Sequence, residues 1–330
     1  MQMISAWATP QQRVSVLMKP ELHPDAQPVI DAFLANGGKS FEQVGDISTL
    51  RSGYETNCGL AAMQGLEHIQ SRDITAEWQS EPVHLRLYDE IPDADARPVV
   101  VFLHGGGWVI GNLNTHDSIC RKIAAHAACR VIAVNYRLAP EHKFPVPFND
   151  CKVALDYIIQ HAEQLGLNVH QMVFAGDSAG ANMAALLGQN FSQQYGFALK
   201  AQVLLYPVVG VCTQTQSYAQ YQSGFPLVQS TMLWFFDALF SQPEEYAQIS
   251  LLNQPFLKAN GDIFLLTLEH DPLRDEALLY LEKALQHGLN VEYHHLGGLM
   301  HGIFTIAGKL PVAEQYLERA AQFIAGKFKE

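Results

Sequence analysis

The pentapeptide Gly176-Asp177-Ser178-Ala179-Gly180 sets a serine between two glycines. An apolar run, residues 172–175, precedes it, and a segment of helical pattern, 179–190, follows. This is the G-x-S-x-G arrangement, in which a strand turns sharply into a helix and presents the serine hydroxyl. Glycines at 176 and 180 let backbone segments approach closely, and the helix N-terminus behind Ser178 favours developing negative charge. The chemistry such a serine can do is nucleophilic attack on an acyl carbon. An ordinary strand-to-helix turn could carry the same letters, so the reading depends on what else the chain supplies.

A nucleophilic serine needs oxyanion donors. His104-Gly105-Gly106-Gly107-Trp108 directly follows the apolar run 98–103. Three glycines let backbone N–H groups face a ligand with no side chain in the way. The expected donors are Gly105, Gly106 and Ala179, the residue after the serine, with His104, Gly107 and Asp177 as supports. A nucleotide loop is the rival reading. The glycine spacing does not match G-x-G-x-x-G, residues 120–140 hold no Asp or Glu for a ribose, and no Walker A pattern occurs.

The serine also needs a base and an orienting acid. Asp271 follows the run 263–268, and His301 follows the run 291–296. Ser178, Asp271 and His301 then occur in the chain order Ser, Asp, His, each in a loop after a strand. Asp275 and Glu276 compete for the acid's role but fall inside the next helix, and Asp177 is too close to Ser178 to orient its base. His294 and His295 invite a metal reading, but neighbours in a strand face opposite sides. No metal site and no cofactor are expected.

Elements that could position these residues follow from the hydrophobic pattern. From residue 78 onward, strand runs (83–88, 98–103, 130–134, 172–175, 201–205) alternate with helical segments (117–128, 150–165, 179–190). Strands resume at 263–268 and 291–296, with helices at 273–287 and 312–325. Such alternation implies a mostly parallel sheet covered on both faces. Residues 1–75 look helical, with a helix near 28–34. Residues 207–260 interrupt the alternation at a length too great for a plain loop. The expected domains are N-terminal cap helices at 1–75, a core at 76–206 and 261–330, and a cap insertion at 207–260. Aromatic and bulky residues of the cap segments and oxyanion loop, Trp108, Phe225, Leu227 and Trp234, are expected near a short substrate slot, with Phe235, Phe236, Phe33 and Leu34 close by.

These motifs, with Tyr136-Arg137-Leu138-Ala139-Pro140-Glu141, Gly111-Asn112-Leu113-Asn114-Thr115-His116-Asp117 and Asp271-Pro272-Leu273-Arg274-Asp275, resemble the hormone-sensitive-lipase family, and bacterial acetyl esterases within it. The resemblance covers residues ~80 to ~325. It implies an α/β-hydrolase fold with a mostly parallel eight-stranded sheet, helices on both faces and a helical cap. It also implies a cofactor-free carboxylesterase acting on short acyl esters, and often a dimer. Ala181 departs from the relatives' second glycine after the elbow, at a helical position that should not affect catalysis. An amidase or deacetylase could use the same residues. A non-catalytic receptor on this fold is disfavoured, because such receptors lack the histidine present here as His301.

Composition sets the partners. Of 330 residues, 48% are hydrophobic and 16% charged, and the formal charge is −12. That excludes disorder and disfavours nucleic acid or an anionic membrane surface. Five cysteines form no CxxC pair, as expected of free thiols in a reducing compartment. Residues 1–16 show no signal peptide, and no apolar run approaches membrane-spanning length. A cytoplasmic enzyme with a small-molecule ester substrate is expected. A homodimer is expected too, helped by the apolar edge strand near 291–296.

Overall fold

Apolar runs with no polar face can be buried only between two layers of helix, and the central strands of this chain have that character. The computed structural model describes residues 20–77, 81–89, 96–189 and 191–330; residues 1–16 and Asn190, read above, lie outside them. The strands are β1 (Gln70–Ala76), β2 (Val83–Asp89), β3 (Arg97–Leu103), β4 (Arg130–Asn135), β5 (Leu167–Asp177), β6 (Ala201–Leu205), β7 (Asp262–His270) and β8 (Val291–Met300). They form one eight-stranded sheet in the order β1-β2-β4-β3-β5-β6-β7-β8. β2 runs antiparallel to β1 and to β4, and every other pairing is parallel. β6 is buried at every position, and β3 from Val99 to Leu103.

The helices are α1 (Gln27–Ala35), α2 (Ile47–Leu60), α3 (Asp117–Ala127), α4 (Val146–Gln160), α5 (Ala179–Gln189), α6 (Phe191–Tyr195), α7 (Gln216–Gln220), α8 (Gln229–Leu239), α9 (Tyr246–Ile249), α10 (Arg274–Gln286) and α11 (Pro311–Lys327). One face of the sheet packs on α3 and α11 through Ile119, Ile123, Leu317 and Ile324. The other packs on α4, α5 and α10 through Leu155, Met183, Ala277 and Tyr280. Among the described residues no helix is long and apolar enough to cross a membrane.

The segment 1–75, expected to look helical with few strand signals, ends in β1. Its sequence, QSRDITA, has no apolar alternation and is mostly exposed. Its seven-residue ladder to β2 holds it in the sheet, a long-range pairing that local pattern does not encode. α2 also has little apolar periodicity; Asp46 fixes its start by accepting the Thr49 N–H at 2.9 Å. α4 begins at Val146, ahead of the expected Asp150.

Candidate active site

Ser178 sits between β5 and α5 at φ +54°, a left-handed conformation unusual for a residue with a side chain. Such strain costs on the order of 1–3 kcal/mol and must be held by its surroundings. The Ser178 N–H donates to Leu205 O at 2.9 Å, and its carbonyl accepts from Val208 N at 3.1 Å. The flanking glycines are required by contact. A Cβ on Gly180 would lie 2.0 Å from Leu103 O, and one on Gly176 would lie 2.5 Å from Gly180 C.

Asp271 is the first residue beyond β7 and His301 the first beyond β8. His301 Nδ1 lies 2.7 Å from Asp271 Oδ2, and His301 Nε2 lies 2.9 Å from Ser178 Oγ. Asp271 is 1% exposed, and its other oxygen accepts the Leu273 N–H at 2.9 Å. A carboxylate at Nδ1 fixes a proton there and leaves the Nε2 lone pair facing the serine hydroxyl. The edge of Tyr206 packs on the imidazole at 4.7 Å. The rival acids point elsewhere: Asp275 accepts from Ser217 N at 2.7 Å, and buried Glu276 from Val209 N at 2.7 Å.

The glycine loop corrects one expectation. The Gly105 N–H donates to Asp177 Oδ1 at 2.8 Å, so it is committed to the protein and not free for an oxyanion. The N–H groups of Gly106, Gly107 and Ala179 make no hydrogen bond within the described residues. Gly106 and Gly107 adopt φ +115° and +59°, and a Cβ on either would collide, with Ile110 O at 2.2 Å or with the Phe235 ring at 2.3 Å. The available donors are therefore Gly106, Gly107 and Ala179. The missed signal is Asp177: its place before the serine puts its carboxylate under the loop.

His104 supports the loop from below. Its ring stacks on Tyr136 at 4.2 Å, its Nδ1 lies 2.8 Å from Gly105 O, and the Tyr136 hydroxyl donates to His104 O at 2.6 Å. Burial, and then the charge of neighbouring His116, push its pKa down to about 3, so the ring is neutral. For Asp177, burial raises the pKa, but the charge and hydrogen bond of His116 and the Gly105 N–H outweigh it and hold the carboxyl below its ordinary value.

Ser178, His301, Gly106 and Gly107 open onto a cavity of about 970 Å³. Its apolar wall includes Phe33, Phe41, Tyr54, Leu227, Phe235 and Ile306. Of the expected slot residues, Leu227 lines it and the other three do not. Trp108 is fully buried against Phe148 and Phe236. Phe225 stacks on His270 at 5.2 Å, and Trp234 packs on Phe235 at 5.2 Å. Phe33 and Phe235 line the cavity, whereas Leu34 is exposed and Phe236 is core. Part of the wall comes from α1 and α2, and on α2 Tyr54 and Cys58 share one helical face. Burial pushes the Cys58 thiol up to about 12, so it is no nucleophile. His294 and His295 bond separately, to Glu292 and Glu269.

α2 is also fastened to the chain that follows the glycine loop. Arg51 donates to Val109 O at 2.8 Å and to Ala139 O at 2.9 Å, and pairs with Glu141. Glu55, one turn on, accepts from Asn112 Nδ2 at 2.8 Å and Asn114 Nδ2 at 2.7 Å.

The chain is similar to known esterases. A family model described as the alpha/beta hydrolase fold matches residues 100–305. Esterase LipI of Mycobacterium tuberculosis is 31% identical over 258 residues, covering 75% of this chain and 79% of that protein. An ethyl acetate hydrolase of Pseudomonas putida is 30% identical over 246 residues, 74% of this chain and 77% of that one. The crystal structure of a thermostable esterase from Pseudomonas putida ECU1011 superimposes with a TM-score of 0.86 at 25% identity, covering 94% of this chain and 98% of that one.

Proposed function

The chain belongs to the alpha/beta hydrolase fold family and is a carboxylesterase, and on that premise we propose that Ser178, His301 and Asp271 hydrolyse short-chain acyl esters through an acyl-enzyme. His301 Nε2 takes the hydroxyl proton as Ser178 Oγ attacks the ester carbonyl carbon. The oxyanion is received by the N–H groups of Gly106, Gly107 and Ala179. His301 then protonates the departing alkoxide, and the alcohol leaves. Water enters, loses its proton to His301, and attacks the acyl-enzyme; Ser178 Oγ departs with that proton and frees the acid. Asp271 holds the imidazole in its working tautomer and stabilises the imidazolium that forms twice per cycle. The steps require only side chains and backbone of this chain.

The observation that carries the reading is the unbroken chain from Asp271 Oδ2 to His301 at 2.7 Å and on to Ser178 Oγ at 2.9 Å. Preference for short acyl groups is supported by Phe235, whose ring lies where a Gly107 Cβ would be, close over the oxyanion loop. We read residues 20–69 and 207–260 as a cap over this cavity, with β1 given back to the sheet; the rest of the expected N-terminal cap, residues 1–19, lies outside the described residues. A cytoplasmic location is supported by five free cysteines, four of them buried. We read β8, the outer strand of the sheet, as the surface for a homodimer.

The test is kcat/KM over p-nitrophenyl esters of increasing acyl length, for the wild type and Ser178→Ala. Activity is expected only in the wild type, with its optimum between acetyl and hexanoyl. Full activity in Ser178→Ala, or a long-chain optimum, overturns the reading.

A further inference from the structure

We propose that His116 is a buried imidazolium that neutralises Asp177 directly behind the oxyanion loop, and that it is a positioning residue for acyl transfer. The proposal rests on the esterase reading above. Residues 111–117 form a quoted motif that this mechanism leaves without a task. Their hydrogen bonds fix a proton count.

Thr115 Oγ1 lies 2.8 Å from Asn112 O, 2.9 Å from Asn112 N and 2.8 Å from His116 Nδ1. A carbonyl oxygen only accepts, so the single hydroxyl hydrogen points to Asn112 O. The hydroxyl therefore offers His116 only a lone pair, and Nδ1 must carry a hydrogen. On the other side of the ring, Nε2 lies 3.1 Å from Asp177 Oδ1. A carboxylate oxygen also only accepts, so Nε2 carries a hydrogen as well. The Gly105 N–H is shared: its shorter branch goes to Asp177 Oδ1 at 2.8 Å and a longer one reaches toward Nε2 at 3.4 Å, while the closer partner of Nε2 is the carboxylate oxygen at 3.1 Å. Both ring nitrogens donate, and the ring is a cation at 1% exposure.

The charge matters because of where Asp177 stands. It precedes Ser178, and its Oδ1 anchors Gly105 in the loop that receives the oxyanion. An unpaired carboxylate there would repel the charge that the loop must stabilise, with little water to screen it. Paired with His116, it anchors the loop without opposing the reaction. Other titratable groups face the pair. His104, from the end of β3, has its ring centre 5.5 Å from that of His116. Tyr206, from the end of β6, donates to Asp177 Oδ2 at 3.4 Å. His301, beyond β8, is near enough to lower the Asp177 pKa when it becomes an imidazolium during the cycle. On α3 itself, Asp117 is engaged by Arg86, Arg121 and Tyr88, and Cys120 is a buried thiol.

The test is a charge-sensitive pair of substitutions read on a short p-nitrophenyl ester. His116→Gln removes the cation but keeps a donor for Asp177; kcat is expected to fall about 10- to 100-fold with KM nearly unchanged, a loss comparable to weakening one oxyanion donor. Adding Asp177→Asn restores neutrality and leaves an oxygen for Gly105; kcat is expected to recover to within about tenfold of wild type, a coupling that contacting residues can show. A double variant no faster than His116→Gln alone overturns the proposal. If the variants do not fold, ¹⁵N NMR of the wild-type ring decides: at pH 7 both His116 nitrogens should be protonated, and a neutral tautomer overturns the proposal. Activity surviving in Ser178→Ala sinks the esterase reading and leaves the NMR result standing. A neutral His116 in an enzyme that still needs Ser178 sinks only the charge pair.

Discussion

Asp271 Oδ2 and His301 Nδ1 stand 2.7 Å apart across the ends of two neighbouring parallel strands, β7 and β8. The sheet's register sets that distance. Asp271→Asn should therefore lower kcat by about four orders of magnitude, because an amide permits the wrong imidazole tautomer. Asp275→Asn should cost far less, since Asp275 serves Ser217 and Arg274. Steady-state kinetics of both variants check this, and a reversal of the two effects would reassign the acid.

Gly107→Ala should lower kcat by about 10²- to 10³-fold, as expected when one oxyanion donor is lost. The new methyl would meet the Phe235 ring at 2.3 Å and push the loop away. Adding Phe235→Ala should return part of the rate by giving the methyl room. Unchanged kcat in Gly107→Ala would mean that this loop does not receive the oxyanion.

Leu227→Ala and Phe235→Ala should move the optimal acyl length upward, because both side chains line the cavity. Each added methylene that finds room contributes about 0.8 kcal/mol. Trp108→Ala should leave the optimum in place and destabilise the fold by roughly 3–5 kcal/mol, as truncation of a buried aromatic does. Chain-length profiles and urea unfolding separate the two effects. A changed profile in Trp108→Ala with intact stability would contradict the burial.

His104 makes stability depend on pH. Burial, then His116, lower its pKa from 6.5 to about 3, so the unfolded chain binds a proton that the folded one refuses. Stability should fall by about 1.4 kcal/mol per pH unit as pH drops below about 6.5, until the folded group also titrates. Above that window His104 contributes no slope. Urea midpoints from pH 7 to 4.5 should fall more steeply for the wild type than for His104→Gln; equal slopes would refute the assignment.

What could be read from sequence follows from which constraints are local. The glycines around Ser178 are legible because backbone passes where their side chains would stand. Asp271 and His301 are legible because a parallel sheet gathers its strand ends in one place. β1 is not legible, because a polar strand is held by its neighbour and not by its own pattern. The cavity wall is legible only in part: Leu227, Phe33 and Phe235 are expected there from their bulk, but Phe41, Tyr54 and Ile306 come from separate segments whose convergence no local period announces. Bulk alone misplaces Trp108, which fills the core beneath the loop. Gly105 misleads for a similar reason: three adjacent glycines look alike until Asp177 takes the N–H of one.

The attachments of the N-terminal segment also bear on how the site is assembled. His23 N donates to Gly298 O at 2.8 Å, the Gly308 N–H donates to Ala61 O at 3.0 Å, and Asp25 accepts from Val312 N at 3.3 Å. Residues 23–61 therefore dock on residues 298–312, a segment far away in sequence. Phe33 and Tyr54 line the cavity onto which Ser178 and His301 open, so its wall joins segments from both sides of this docking. A chain that lacks residue 301 lacks the imidazole that stands 2.9 Å from Ser178 Oγ, however well the rest of the site is formed.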